Sequence, residues 1–157
     1  MIRAARAEDA AILAAIWNPW IRETAVTFNA IEKTEADMQA MIAERDCFLV
    51  YFNNGLQGFA TYSQFRGGIG YATCMEHTVI LSPEARGRGV GRALLAAVEA
   101  DARAAGAHQM IAGVSGENSQ GRAFHAAMGY HEVALIREAG FKFGRFMDLV
   151  LMQKFLS

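Results

Sequence analysis

Cysteine is scarce in this sequence, and its scarcity narrows the chemistry at once. Cys47 and Cys74 are the only two in 157 residues. Each lies inside a strand-like run, with no C-x-x-C spacing. Two such cysteines supply neither a disulfide framework nor a zinc site, so no metal is expected. Net charge is missing too. Fifteen Lys and Arg against sixteen Asp and Glu leave a formal charge of -1, which gives no global basic field to attract nucleic acid. Long apolar runs are also absent: nothing approaches the roughly 18 residues needed to span a bilayer. The N-terminal stretch is interrupted by Arg3, Arg6, Glu8 and Asp9, so it lacks the apolar core of a signal peptide. The expectation is a cytoplasmic protein with no membrane or nucleic-acid partner.

What is present is a globular composition, 53% hydrophobic and 20% charged, far from that of a disordered chain. The length suits one domain over residues 1–157, large enough for a proper core. Residues 2–4 read as a first strand. Glu8 and Asp9 open an amphipathic helix through Ile12, Leu13, Ile16, Trp17 and Trp20, which Pro19 should bend or end. Thr34 reads as the N-cap of a second helix carrying Met38, Met41 and Ile42. Residues 47–52 form a buried strand, Asn53-Asn-Gly55 a hairpin turn, and residues 59–65 the partner strand. After a glycine-rich loop at 67–70, residues 72–82 form a strand stopped by Pro83. A helix follows from about Gly89 to Ala105, with Gly106 as its stop. Residues 109–114 are a strand, 119–128 a helix, and 133–136 and 148–154 two closing strands. The order implies one mixed α/β sandwich.

The most informative segment is the passage from the strand at 72–82 through Arg86-Gly-Arg-Gly-Val-Gly91 into a helix. Backbone N–H groups in a first helical turn have no intrahelical partners and can point at an anion. Gly87, Gly89 and Gly91 permit positive φ and close approach of phosphate oxygens. Arg86, Arg88 and Arg92 can add charge-assisted contacts, and the amide of Val90 belongs to the same turn. No Lys-Ser or Lys-Thr follows the glycines, which excludes a P-loop, and no G-x-G-x-x-G/A register fits.

Arg86, Gly89 and Gly91 form an R-x-x-G-x-G pattern that resembles the coenzyme A signature of the GNAT acetyltransferase superfamily. More narrowly, the chain resembles the phosphinothricin and methionine sulfone acetyltransferases. That narrower likeness rests on Asn18, Thr24, Thr27-Phe28, Glu76-His-Thr-Val79, Asn118 with Phe124-His125 and Lys142-Phe-Gly-Arg-Phe-Met-Asp148, while Asn118, His125 and Gly129-Tyr130 resemble the superfamily's second element. It implies a GNAT fold, a mostly antiparallel twisted central sheet flanked by helices. It also implies acetyl-CoA as co-substrate, a small-molecule amine as acceptor and a homodimer. Within that pattern Val79 and Leu81 would pair with the pantetheine arm, and an N–H near Ile80 would polarise the thioester oxygen. Asn118 would bind the arm or cap its helix.

Attack on a thioester needs a neutral amine. An α-amine is neutral in roughly a tenth of molecules at pH 7, a lysine side chain in far fewer, so a general base helps by about 10² to 10⁴. Glu76, at the head of the strand leading to the phosphate loop, is the candidate base. His125 is the second candidate, as an acid for the departing thiolate or a partner of Glu76. His77, His108 and His131 read as structural or exposed. Phe28, Tyr71, Lys142 and the segment 142–146 would wall the acceptor pocket. Two positions depart from the resemblance. Ala72 stands where an arginine would hold a substrate carboxylate, and Asn29 where a glutamate follows Thr27-Phe28; Arg66, Lys142 or Arg145 would have to compensate. The leading expectation is acetyl transfer to a small primary amine, an amino acid or analogue. The alternatives are a non-catalytic acyl-CoA sensor and a protein N-acetyltransferase.

Overall fold

The computed structural model describes residues 1–157. Its strands are β1 (Ile2–Ala4), β2 (Phe48–Phe52), β3 (Leu56–Gln64), β4 (Cys74–Leu81), β5 (Gln109–Ser115), β6 (His131–Lys142) and β7 (Arg145–Phe155). They form one seven-stranded sheet in the order β1-β2-β3-β4-β5-β7-β6. Every neighbouring pair is antiparallel except β4 and β5, which run parallel. Four helices flank the sheet: α1 (Ala10–Glu23), α2 (Glu35–Glu44), α3 (Val90–Ala104) and α4 (Ser119–Ala127). The mixed, mostly antiparallel sheet that the resemblance implies is the one observed.

Strand alternation sends neighbouring residues to opposite faces and so divides the core in two. On one face α1 and α2 bury Leu13, Ile16, Trp17, Ile21 and Met38 against Phe48, Val50, Phe59 and Ile80. On the other, α3 lays Val90, Leu94, Leu95, Val98 and Ala102 over Ala60, Tyr62, Met110, Ala112, Val150 and Met152. Full burial of each such aliphatic side chain contributes about 1.5–3 kcal/mol.

Local chemistry sets the ends of the elements. Thr34 caps α2 reciprocally: its hydroxyl accepts from the Asp37 amide at 3.0 Å, and the Asp37 carboxylate accepts from the Thr34 amide at 2.8 Å. Pro19 does not end α1, which continues to Glu23. One lost backbone bond is opposed by the burial of Ile21 and by the indole of Trp20, which donates to the Leu81 carbonyl of β4 at 2.8 Å.

Two features position the site. β4 and β5 pair only from Cys74↔Gln109 to Glu76↔Ile111. Beyond that, β4 runs on to Leu81 and β5 to Ser115, so the strands splay and leave a wedge in the sheet. The closing strands are also much longer than expected. β6 and β7 form a hairpin whose register shifts between Ile136 and Gly140. There Glu138 takes a positive φ of 56° and its amide donates to the Asp148 carboxylate at 2.9 Å. The segment 137–147, expected outside regular structure, is thus the bulged far end of this hairpin.

Candidate active site

Glu76 stands on β4 at the last rung before the splay, paired with Ser63 on β3 and Ile111 on β5. Its carboxylate lies over Gly113 of β5, where an added Cβ would come within 3.0 Å of Oε2. Burial pushes its carboxyl above the usual carboxylate range, against an opposing pull from the Arg45 guanidinium. A half-buried carboxylate so raised suits the work of a base. Around it opens a cleft of about 450 Å³, lined by Trp17, Phe28, Asn29, Gly113, Asn118 and His125 among others. The ring of Phe28 rests on the backbone of Gly140, where a Cβ would meet it at 2.5 Å.

From this cleft a groove follows β4. A second cavity of about 170 Å³ shares Val79, Ile80, Asn118 and His125 with the cleft and adds Leu81, Arg86 and Gly91. A third, of about 280 Å³, continues past Leu81, Gly91 and Phe124 to Gly87, Gly89, Val90 and Arg92. At that end Gly87 and Gly89 hold φ of 73° and 79°, and Cβ atoms there would meet nothing. The first α3 amide with a helical partner is that of Ala93, which donates to Gly89. The amides of residues 87–92 therefore lack backbone acceptors, and Gly87, Gly89, Val90, Gly91 and Arg92 line the groove mouth, as an anion site requires. Val90 offers only its amide, since its side chain is buried in the core.

The remaining expected residues fall into place unevenly. The Ser82 amide donates to Gln57 of β3, and alternation turns the amides of Ile80 and Thr78 the same way. Val79 and Leu81 are left facing the wedge. The Ile80 N–H therefore points at β3 and not at a thioester; that residue lines the groove with its side chain alone. The Leu81 carbonyl is already taken by Trp20. Asn118 caps α4, its Oδ1 accepting from the Gly121 amide at 2.9 Å, while also lining the cleft. Arg88 and Arg92 are exposed and carry no ion pair, but Arg86 is engaged. Its guanidinium lies 5.3 Å from the ring centroid of Trp20 and donates to Gln120.

Two pocket-wall expectations are corrected. Tyr71 lies on an exposed 3-10 turn beneath the Arg66 guanidinium, away from the cleft-lining residues. Lys142 is buried, and its ammonium donates to the carbonyls of Thr24 at 2.7 Å and Thr27 at 2.8 Å. It straps the loop bearing Phe28 to the hairpin instead of facing a ligand. Arg145 is held by Glu117 through both terminal nitrogens. All three cations offered in place of an arginine at Ala72 are thus engaged elsewhere.

The Acetyltransferase (GNAT) family model matches residues 12–130. The chain belongs to the GNAT acetyltransferase family. The L-amino acid N-acyltransferase MnaT of Escherichia coli is 34% identical over 97% of this chain and 91% of its own length. A Salmonella typhimurium L-methionine sulfoximine/L-methionine sulfone acetyltransferase is 32% identical over 97% of this chain and 92% of its own. A GNAT phosphinothricin acetyltransferase from Sinorhizobium meliloti, solved in complex with AcCoA, superposes with a TM-score of 0.94 at 31% identity, covering 100% of this chain and 88% of that one. No helix is long and apolar enough to cross a membrane, and no three His, Cys, Asp or Glu side chains gather to hold a metal ion.

The sequence reading missed a buried polar network behind this GNAT groove. His77 is buried, with its Nε2 3.2 Å from Nε2 of His125. Tyr130 donates to the buried carboxylate of Glu99 at 2.7 Å, which also pairs with Lys154 at 2.7 Å. Strand alternation alone places His77 on the opposite face from Glu76, but no periodicity announces its meeting with a helix 48 residues later.

Proposed function

We propose that this protein transfers the acetyl group of acetyl-CoA to the primary amine of a small molecule, an amino acid or amino-acid analogue. The observation that carries the reading is the continuity of one groove from the free amides of residues 87–92 to the carboxylate of Glu76. The pyrophosphate fits the amides of 87–92, with Arg88 and Arg92 free to add contacts. The pantetheine arm fits along Val79 and Leu81, and the thioester then reaches the splay beside Glu76. The donor supplies a thioester carbonyl; amide formation joins it to the amine nitrogen and releases the thiolate. Glu76 takes the amine proton, its raised pKa bringing it nearer to the working pH. His125 flanks the same cleft. A volume of about 450 Å³ lies in the range of small-ligand sites, which supports a small acceptor over a peptide.

Release of free thiol from acetyl-CoA across a panel of amino acids and amines tests the reading. Glu76→Gln should lower kcat by about 10² to 10⁴ while leaving CoA affinity unchanged. CoA binding without turnover on any acceptor would instead support a sensor.

The same reading extends to assembly and location. Val133, Leu135, Ile136 and Phe141 of edge strand β6 are all exposed, a run of apolar side chains suited to a second copy of the chain. Light scattering should give twice the chain mass, and Leu135→Glu should halve it. Two free cysteines, one buried and one half-buried, fit a reducing cytoplasm.

A further inference from the structure

The contact between His77 and His125 fixes where the protons of both rings lie. Their Nε2 atoms are 3.2 Å apart and their planes are 16° from parallel. Such a contact is attractive only if one nitrogen carries a proton and the other a lone pair. The second nitrogen of His125 decides which. Its Nδ1 is 2.7 Å from the carbonyl oxygen of Gly121, and a carbonyl only accepts, so Nδ1 carries the proton. In the neutral ring Nε2 then holds a lone pair, and the proton between the rings belongs to His77. The Nδ1 of His77 is left bare, buried and without a partner.

The surroundings favour neutral rings. Burial pushes His77 down to about 3, with His125 beside it adding to the shift. Burial also lowers His125, against the Gly121 carbonyl and the field of Glu99. The charge that acts on His125 is that of Glu99 from α3, already paired with Lys154 from β7. The Tyr130 hydroxyl donates to Glu99, and its ring stands edge-on to both imidazoles. Glu76 projects from the other face of β4.

We propose that His77 is a positioning residue: its Nε2–H occupies the Nε2 lone pair of His125, whose Nδ1–H the Gly121 carbonyl fixes, and so holds that ring neutral with Nε2 turned inward as an acceptor. His125 then presents neither a proton nor a lone pair to the cleft. It shapes the thioester end without protonating the thiolate, and Glu76 is the one side chain there that exchanges a proton during turnover. This rests on the reading of Glu76 as base. It replaces the acid role expected for His125 from the sequence.

The test is nitrogen-detected NMR of the histidine rings in the full-length protein, alongside the pH profile of kcat/KM. In the unaltered protein His125 should appear as Nδ1–H and His77 as Nε2–H, both protonating only below the ordinary histidine range, and kcat/KM should show no limb in that range. His77→Phe frees His125 Nε2. Its ring should then take up a proton at a higher pH than in the unaltered protein, and a limb in kcat/KM should follow it. His77→Gln, whose amide still donates, should keep the original profile. A cationic or Nε2–H His125 at pH 7 in the unaltered protein overturns the proposal. So does a His77→Phe protein whose His125 titration is unchanged. If neither variant folds, the tautomers of the unaltered protein decide alone. Absence of turnover on every acceptor would sink the catalytic reading while leaving the NMR result to judge the lock.

Discussion

At the scale of single residues, Glu76 carries a cost as well as its proposed role as base. Burial raises its pKa in the folded state, so the folded protein binds that proton more tightly than the unfolded chain does. Stability therefore falls as pH climbs from the ordinary carboxylate range through the raised value, and it stays reduced above it. Glu76→Gln removes the ionised form. Its melting temperature should exceed that of the unaltered protein at pH 7, by about 2–4 °C for each kcal/mol recovered. The two curves should converge near pH 4, where the carboxyl is largely protonated in both states. An equal gain at both pH values would mean that desolvation of the charge is not the cause. Glu76 was legible in the sequence because its motif and its strand position agree. Lys142 was not: an ammonium held by two carbonyls more than a hundred residues away leaves no local trace, and the same residue type reads equally well as a ligand contact.

At the scale of elements, the hairpin of β6 and β7 reaches the cleft through a glycine. Gly140 is where the Phe28 ring rests, and a methyl group there would overlap it at 2.5–2.7 Å. Gly140→Ala should push the ring off its seat and raise the KM for the acceptor several-fold. The phosphate end of the groove is remote from this contact, so CoA affinity, read by calorimetry, should hold. Loss of both together would point to general unfolding instead. Elements with strong local signals were readable from the chain: the Thr34 cap, the Asn53-Asn-Gly55 turn, and the amphipathic α3 between Gly89 and Gly106. The length of β6 was not. Its bulge depends on an Asp148 contact across the hairpin, and its mostly exposed side chains lack the alternation that marks a half-buried strand.

At the scale of the whole molecule, one sheet separates two packed cores, and the reaction is read at the place where that sheet fails to close. The sequence located both banks of the wedge, β4 with Glu76 and α4 with Asn118 and His125. It did not reveal the wedge itself, because a parallel pairing that stops at Ile111 is a long-range property with no pattern of its own. Ala72 removes the expected arginine, and the three cations weighed in its place are engaged elsewhere: Arg66 over Tyr71, Lys142 on Thr24 and Thr27, and Arg145 on Glu117.

The wedge also has a consequence in time. Beyond Glu76 the outward amides of β4 have no strand beside them, so their hydrogens should trade with solvent quickly for the centre of a sheet. A pantetheine arm lying along Val79 would act as the missing neighbour. Deuterium uptake at Val79 should slow when CoA is added, while uptake in β2 and β3 changes little. A uniform slowing across the sheet would mean that the donor merely stabilises the whole fold by mass action, and an unchanged Val79 would mean that the arm lies elsewhere.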